Sequence, residues 1–226
     1  MSLSDSKIAR GLESKMQFET EAWGRGGQRV GGLDEAGRGP LAGPVVAACV
    51  VIAREIFFPE PPDYFYQIDD SKRLSPSKRA QIAALLHGQE GMEIGVGIAD
   101  HEVIDRINIL EATRLAMRRA LEQLSSPVDC VLVDGAPLPS LSVSQTALIQ
   151  GDRRSLFIGA ASIVAKVLRD SLMESYDREF PLYGFAKHKG YGTRAHLENL
   201  KRYGPCRLHR RSFYPVQLAE EQAACP

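Results

Sequence analysis

Runs of apolar residues along this chain predict five β-strands. The run at 43–53 is Val-rich and typical of a strand covered on both faces, and the run at 128–133 predicts a second apolar strand. Residues 92–99 alternate sufficiently to form a half-buried strand. Shorter stretches at 29–34 and 147–149 complete the set. The glycines and the proline between residues 36 and 44 predict a tight connection between the first two strands.

Helical spacing and capping residues predict the helices that separate and follow these strands. Ser75 and Pro76 suit the N-cap and first position of a helix that stops at Gly88, and Asp100 suits the N-cap of a short helix. Longer helices are predicted over 107–124 and 155–179, and a final one over 194–203. The helix over 107–124 has an apolar stripe, which comprises Leu110, Thr113, Met117, Leu121 and Leu124.

The order of these elements, a strand pair followed by alternating helices and strands, indicates an α/β fold. We expect a mixed five-stranded sheet flanked by helices, with a C-terminal helical extension. The chain divides into an N-terminal extension at 1–28, a main α/β domain at 29–180 and a basic C-terminal segment at 181–226. The extension is polar and weakly periodic, so we expect it to be loose with at most one helix. Residues 54–70 are proline-rich and are predicted to be a surface loop.

The composition is typical of a globular protein with one sizeable core, since 44% of the 226 residues are hydrophobic and 25% are charged. No apolar run is long enough to span a membrane, and the first residues lack the apolar region of a secretory signal. We therefore expect a cytoplasmic protein with no membrane partner, and a monomer. Zinc is not expected, and reduced thiols are expected for the four cysteines, which are Cys49, Cys130, Cys206 and Cys225.

Charge is distributed unevenly, although the formal net charge is +0. Residues 151–214 contain 13 Lys and Arg against 6 Asp and Glu, whereas residues 1–150 contain 15 against 20. A basic half beside an acidic half suits a metal-dependent site that faces a polyanion. Two ordinary solvated faces would produce the same distribution.

Acidic residues are predicted at the ends of three strands. Asp34 and Glu35 follow the first strand, Asp134 follows the fourth and Asp152 lies just after the fifth. In an open α/β sheet, ligands bind at the carboxyl ends of the strands, so these acids are candidates to converge there. Converging carboxylates need a counter-charge, and two Mg²⁺ or Mn²⁺ ions would supply it and promote hydrolysis of a phosphodiester. Taken singly, each acid also fits an ordinary turn or cap residue.

A glycine-rich turn and a line of polar residues are the other candidates for ligand binding. Gly37, Arg38 and Gly39 would allow a sugar or phosphate to approach the backbone closely, or would form a plain tight turn. On the helix over 155–179, one face carries Ser162, Lys166 and Arg169, which suit consecutive phosphates or a solvated charged surface.

The stretch "YGFAKHKGYGTRAH" interleaves aromatic and basic residues, as proteins that bind nucleic-acid backbones and stack on sugars or bases do. Its aromatic members are Tyr183, Phe185 and Tyr191. The spacing of the histidines at 188, 196 and 209 fits no usual zinc site, and surface polar roles are expected for them.

Six motifs, taken in order, resemble those of bacterial ribonuclease HII, the type 2 ribonuclease H family. They are "GLDEAGRGPLAGPVVAACVV", "DDSKRLS", "VLVDG", "GAASIVAKVLRD", "YGFAKHKGYGT" and "HRRSF". The resemblance extends from about residue 29 to residue 216. It implies an RNase H-like fold and hydrolysis of RNA in RNA/DNA hybrids and at single ribonucleotides in duplex DNA. It also implies dependence on two Mg²⁺ or Mn²⁺ ions, 3′-hydroxyl and 5′-phosphate ends, and a role in ribonucleotide repair and primer removal.

The resemblance also assigns roles to residues. The catalytic, metal-binding acids would be Asp34, Glu35, Asp134 and Asp152, with Asp170 excluded. The Gly-Arg-Gly turn of residues 37–39 would contact the ribose 2′-hydroxyl, and Tyr191 would pack against the neighbouring deoxyribose. Lys72, Ser162 and Lys166 would lie near phosphates.

Three features depart from the family pattern: Arg153 and Arg154 after Asp152, the long 54–70 loop, and the residues before 29. The residues leave two other functions open. One is a different two-metal nuclease on the same fold, and the other is a non-catalytic nucleic-acid-binding module. Four intact acids argue against the second, because a pure binder gains nothing from carboxylates facing phosphate.

Overall fold

A computed structural model describes residues 11–139 and 141–224 and contains the predicted five-stranded mixed sheet. The strands are β1 (Val30–Ala36), β2 (Val45–Ile52), β3 (Met92–Ala99), β4 (Cys130–Asp134) and β5 (Ser144–Leu148). They lie in the order β3-β2-β1-β4-β5. The first three strands pair antiparallel, and β4 and β5 continue the sheet in parallel with β1. The predicted fold class and the hairpin-like start are therefore confirmed.

The α-helices of the described residues surround this sheet. They are α1 (Gln17–Gly24), α2 (Pro76–Gly88), α3 (His101–Glu122), α4 (Gly151–Arg154), α5 (Leu156–Glu179), α6 (Phe185–His188), α7 (Arg194–Tyr203) and α8 (Tyr214–Ala224). Helix α5 packs on one face of the sheet and α3 packs on the other, so that β1 and β2 are buried on both sides.

The close approach of α5 to β1 depends on a residue without a side chain. A Cβ atom on Gly32 would overlap the backbone of Phe157. The missing Cβ lets the first turns of α5 lie directly against the strand that carries Asp34. Because the small residues Gly159, Ala160 and Ala161 are also buried in α5, the helix reaches the sheet along its N-terminal half.

Two elements differ from their predicted bounds. Strand β5 begins at Ser144 instead of residue 147, because its first residues are polar and lie at the sheet edge, where apolar residues are not required. The two helices predicted around residue 107 form one element, α3, with a kink at Asn108 (φ 65°, ψ 166°). The Asn108 side chain accepts hydrogen bonds from the N–H groups of Leu110 (2.9 Å) and Glu111 (3.1 Å), which caps the second half of α3.

Four of the five residues of the predicted α3 stripe face the core, since Thr113 and Met117 are buried and Leu121 and Leu124 pack against the core, and only Leu110 does not. Leu110 is 45% exposed, whereas Ala112, Ala116 and Ala120 are fully buried against the sheet. Alanine has a short side chain, so it allows the helix to approach β2 and β3 more closely than a leucine stripe would. The buried face therefore includes small residues beside the large ones, and a search for large apolar side chains overlooks them.

The N-terminal segment and the 54–70 loop are more ordered than predicted. Leu12 and Met16 belong to the main core, so the expectation of a loose extension does not hold for residues 11–24, while residues 1–10 lie outside the described residues. The loop contains the 3₁₀ helices Arg54–Phe57 and Asp63–Gln67, and Phe65 is fully buried. Helices α4, α6 and α8 were not predicted. None of the described helices is long and apolar enough to cross a membrane.

Candidate active site

All of the candidate site residues that the resemblance selects line one cavity of about 660 Å³. Its acids are Asp34, Glu35, Asp134 and Asp152, and its other predicted members are Gly37, Arg38, Gly39, Lys72, Ser162, Lys166 and Tyr191. The predicted convergence of elements distant in sequence is thus present in the structure. Asp152 lies in α4 and not at a strand end, because the chain turns into a helix directly after β5.

Adjacent strands explain how the first three acids meet. Strands β1 and β4 run in parallel with Leu33 beside Val133, so Asp34 and Asp134 lie at the same end of the sheet. The N–H of Gly151 donates to Asp134 Oδ1 at 2.6 Å, which fixes the start of α4 against β4. That contact places Asp152 beside the strand-borne acids.

Burial and mutual repulsion shape the electrostatics of these acids. Asp34 is 5% exposed, and its burial, followed by the charges of Glu35 and Asp134, raises the pKa of its carboxyl well above the usual range. Burial also raises the pKa of Glu35, against the opposing effect of Arg38. Burial and the charge of Asp134 raise the pKa of Asp152. The cavity therefore favours positive charge.

Some of these carboxyl oxygens already accept hydrogen bonds from the protein. Asp34 Oδ1 accepts from the N–H of Glu35 (2.7 Å), and Glu35 Oε1 accepts from Arg38 Nη1 (3.3 Å). Within residues 11–139 and 141–224, no three acidic, histidine or cysteine side chains are already placed to hold one ion. Their donor chemistry nevertheless fits Mg²⁺ or Mn²⁺, because they supply only carboxylate oxygens in a buried setting that penalises their unneutralised charge.

The Gly-Arg-Gly turn is anchored from its buried side by Arg210. Arg210 is fully buried and donates to the carbonyl oxygens of Gly37 (2.6 Å), Arg38 (2.9 Å) and Gly43 (3.0 Å). In a trans peptide, the C=O and N–H groups point in opposite directions. The N–H groups of Arg38 and Gly39 therefore point away from Arg210, as donors suited to a ligand oxygen.

Arg169 supports the same turn and does not have the predicted role. It is 1% exposed and donates to the carbonyl oxygens of Pro44 (2.9 Å) and Ala42 (3.3 Å), so it forms neither a phosphate contact nor a solvated surface. Gly37 has φ 101°, and a Cβ atom there would overlap Arg169 and lie 2.7 Å from the Pro44 carbonyl oxygen. Only glycine fits between the turn and its support.

Tyr191 lies beside Gly39 of the turn and is 43% exposed. Its ring centre is 6.0 Å from Arg169 Cζ, and a Cβ atom on Gly39 would lie 3.7 Å from its Cε1 atom. The tyrosine ring and the turn thus form one continuous wall of the cavity, with Arg169 behind both. Tyr183 and Phe185 are buried and stack on each other, so the prediction that they stack on bases is wrong.

Buried histidines hold the backbone of Tyr191. The N–H of Cys206 donates to His209 Nδ1 (3.0 Å), so neutral His209 carries its proton on Nε2 and donates to His196 Nε2 (3.1 Å). His196 Nδ1 then donates to the Tyr191 carbonyl oxygen (2.9 Å). Burial lowers the pKa of His196 to about 4 and that of His209 to about 3, so both are neutral. The expectation of surface roles is wrong for these two.

The three residues expected near phosphates are held differently. Lys72 is exposed, and its charge opposes the rise that burial causes in the pKa values of both Glu35 and Asp152. Ser162 is buried and shares a hydrogen bond with the Ser71 hydroxyl (2.9 Å). Lys166 Nζ donates to Asp170 Oδ1 at 2.6 Å, so Asp170 serves as its partner. The cation expected to be most available to a ligand is therefore Lys72.

Sequence analysis assigned no role to several residues that shape the site. Arg210 was quoted only within "HRRSF", and Arg79 and Asp70 received no role. Arg79 donates to the carbonyl oxygens of Ser71 (2.8 Å) and Leu74 (2.5 Å), which holds the loop that carries Lys72. The sequence around these residues offers no signal, because each of them lies directly beside another charged or polar residue.

Comparison with known proteins agrees with the resemblance. The family model described as Ribonuclease HII matches residues 31–216. The ribonuclease HII of Chlamydia trachomatis is 49% identical over 214 residues, which cover 95% of each chain. The ribonuclease H2 of Pyrococcus horikoshii superposes with a TM-score of 0.70 at 26% identity, over 88% of this chain and all of that one.

A second solved structure shares the fold. Bst-RNase HIII, crystallised in complex with Mn²⁺, has a TM-score of 0.67 at 17% identity, over 88% of this chain and 71% of its own. The motifs, the sheet order and these relatives lead to the same assignment. The chain belongs to the ribonuclease HII family and is a ribonuclease H, a nuclease of the hydrolase class.

Proposed function

We propose that this protein cuts the RNA strand of RNA/DNA hybrids and cleaves on the 5′ side of single ribonucleotides in duplex DNA. The products would carry 3′-hydroxyl and 5′-phosphate ends, as suits ribonucleotide excision repair and primer removal in the cytoplasm. One observation carries the proposal: four carboxyl groups share a cavity with the Gly-Arg-Gly turn and Tyr191. A nuclease that cuts at a ribose needs hydrolytic groups and a sugar-reading surface in one place.

The acids would hold two divalent ions, through Asp34, Glu35, Asp134 and Asp152. Such ions, when bound, supply an activated water and neutralise the charge that develops on the departing oxygen. The protein contributes a buried carboxyl set that gains stability from cations, as the raised pKa of Asp34 indicates. The related fold of the Mn²⁺-bound RNase HIII supports this choice of ion.

The remaining residues would bind and orient the substrate. The N–H groups of Arg38 and Gly39 are directed away from Arg210 and suit a 2′-hydroxyl oxygen, the group that distinguishes RNA from DNA at one sugar. The exposed ring of Tyr191 suits a neighbouring sugar that lacks a 2′-hydroxyl. Lys72 is placed to attract a phosphate, and binding should weaken with salt.

The test is cleavage of a DNA duplex that carries one ribonucleotide, with Mg²⁺, Mn²⁺ and EDTA compared. We expect cleavage with either ion, none with EDTA, and a single cut whose upstream fragment ends in a 3′-hydroxyl that a DNA polymerase can extend and whose downstream fragment carries a 5′-phosphate. An all-DNA duplex of the same sequence is the control. Equal cleavage of that control would instead favour a less selective two-metal nuclease, and binding without any cleavage would favour a pure binding module.

A further inference from the structure

The segment 11–24 reaches two parts of the candidate site, although it precedes the region that the family model matches. It comprises the residues up to Met16 and helix α1, and it packs through Leu12 and Met16 onto the main core. Its polar side chains extend toward the loop that carries Lys72 and toward the junction of α4 and α5.

Glu19 holds the α4–α5 junction. It is fully buried, and its Oε1 accepts from the Ser155 hydroxyl (2.6 Å) and from the N–H of Phe157 (3.1 Å). Ser155 is the N-cap of α5 and accepts from the N–H of Ile158 (3.1 Å). A carboxyl from another element thus completes the cap of the helix that begins four residues after Asp152.

Two further contacts tie the same segment to the neighbouring elements. Lys15 Nζ donates to the carbonyl oxygen of Ile68 (2.6 Å) and pairs with Asp69 (3.4 Å), just before the residues that lead to Lys72. On the other side, the Arg154 guanidinium carbon lies 5.0 Å from the centre of the Phe18 ring. The segment therefore contacts both elements directly.

These two elements are also joined to each other. Asp70 is 3% exposed, and its Oδ2 accepts from Arg153 Nη2 (2.7 Å) and Nε (3.2 Å). Its Oδ1 accepts from the N–H of Lys72 (2.9 Å). Segment 11–24, the Lys72 loop and the α4–α5 region are therefore each in contact with the other two. A shift of Glu19 would thus move the turn that carries Asp152.

We propose that Glu19 and Lys15 are positioning residues, which set Asp152 and Lys72 relative to the other acids of the cavity. The proposal rests on the proposed function, since it concerns the same site. It gives segment 11–24 a role in assembling the ion-binding set, in addition to covering the core. Neither residue lines the cavity, so neither would contact substrate or ions.

The experiment measures Mn²⁺ binding to the full chain by the electron paramagnetic resonance signal of the free ion, alongside thermal unfolding without metal. We expect Glu19→Ala to weaken Mn²⁺ binding by about tenfold, as losing an outer support of a ligand does. Glu19→Gln should restore binding, because its amide oxygen can accept both hydrogen bonds. Glu21→Ala is the matched control, since Glu21 is an exposed acid on the same helix and should leave binding unchanged.

Lys15→Met tests the contact of Lys15 with Ile68 and Asp69. If Glu19→Ala does not fold, the result for Lys15→Met decides whether the proposal holds. We expect weaker Mn²⁺ binding, transmitted to Asp152 through Asp70 and Arg153, and a higher KM on the single-ribonucleotide duplex because Lys72 would be displaced. If both variants melt earlier but bind Mn²⁺ as the parent does, the segment is only structural and the proposal is wrong. A parent that binds Mn²⁺ but cuts nothing would contradict the proposed function alone, whereas a parent that binds no Mn²⁺ would overturn both.

Discussion

Buried like charges are gathered at two places around the candidate site, and the protein satisfies them in different ways. The acidic edge brings Asp34 and Asp134 together in a setting that raises the pKa of Asp34. Behind the Gly-Arg-Gly turn, Arg169 and Arg210 lie together, and backbone carbonyl oxygens accept their hydrogen bonds. Burial, followed by the charge of Arg169, lowers the pKa of Arg210 to about 9.

The two clusters have different roles. Several backbone carbonyl oxygens surround each arginine, so its N–H groups are hydrogen-bonded within the protein and the arginines fix the shape of the turn. The negative charge of the acids is not compensated by the protein. This uncompensated charge destabilises the folded protein and favours the binding of cations. Removing a charge should therefore have opposite effects on stability in the two clusters.

The largest effect is expected for Asp34→Asn. Cleavage should fall by about 10³-fold, the upper end of the cost of one electrostatic group, while duplex binding persists. The variant should also unfold at a higher temperature than the parent without metal, because it removes a buried repulsive charge. Activity on the single-ribonucleotide duplex and thermal scans measure the two effects. Asp63→Asn, at an exposed acid outside the cavity, should change neither, and full activity of Asp34→Asn would refute the acid assignment.

Arg210→Met should act in the opposite direction on stability. It leaves buried carbonyl oxygens of Gly37, Arg38 and Gly43 unpaired, at a cost of about 3 kcal/mol or more. Arg210→Lys keeps the charge but not the fork of donors, so it should fold better yet lose selectivity for the ribonucleotide. Urea unfolding and the ratio of cleavage rates on ribonucleotide-containing and all-DNA duplexes separate these effects. An Arg210→Lys variant with parental selectivity would show that the turn needs no such support.

Glu19 is a third buried ionisable group, and its protonation affects the stability of the protein. Burial raises the pKa of Glu19 to about 7 from the ordinary 4.5, so its contribution to stability is fully present below pH 4.5 and is lost as the pH rises through about 7. Glu19→Gln does not titrate. Its stability relative to the parent should increase by up to about 3 kcal/mol between pH 4.5 and pH 8, as the pKa difference implies. Urea unfolding at several pH values tests this, and a difference independent of pH would contradict it.

The smallest effect is expected for Tyr191→Ala. The exposed ring should contribute little to the fold, but its loss should reduce the preference for a deoxyribose beside the ribonucleotide by about tenfold, the size of one stacking contact. Comparing cleavage at a single ribonucleotide with cleavage within a run of ribonucleotides measures this preference. Tyr203→Ala, at another exposed tyrosine, is the control. Parental preference in Tyr191→Ala would assign the sugar contact to another residue.

Much of the fold could be predicted because the strands are buried and their patterns are simple. Strand β2 is apolar at all eight positions, and helix α2 begins at the predicted Ser75 cap. The start of edge strand β5 was predicted at residue 147 instead of Ser144, because the first residues of the strand are polar and show no apolar pattern. Short helices such as α4 and α6 have too few residues for a periodic signal, and Asp152 was consequently placed on the wrong type of element.

The residues of the candidate site could be named from motifs, but their supports could not. Arg169 shares a helical face with Ser162 and Lys166, and sequence spacing cannot distinguish an exposed cation from one buried beneath a glycine turn. Glu19 has an acidic sequence neighbour in Glu21, yet only one of the two is buried. Such differences depend on contacts between residues more than 100 positions apart, such as Glu19 and Ser155.

The central claim is that one cavity both reads a single 2′-hydroxyl and carries the acids that cut beside it. The most direct measurement compares the parent enzyme, with Mg²⁺, on two duplexes that differ only in the 2′-oxygen of one sugar. We expect one cut on the 5′ side of the ribonucleotide and about 10²-fold slower cleavage at the matching deoxyribonucleotide, as for the loss of two hydrogen bonds from the exposed N–H groups of Arg38 and Gly39. Equal rates on the two duplexes would contradict it.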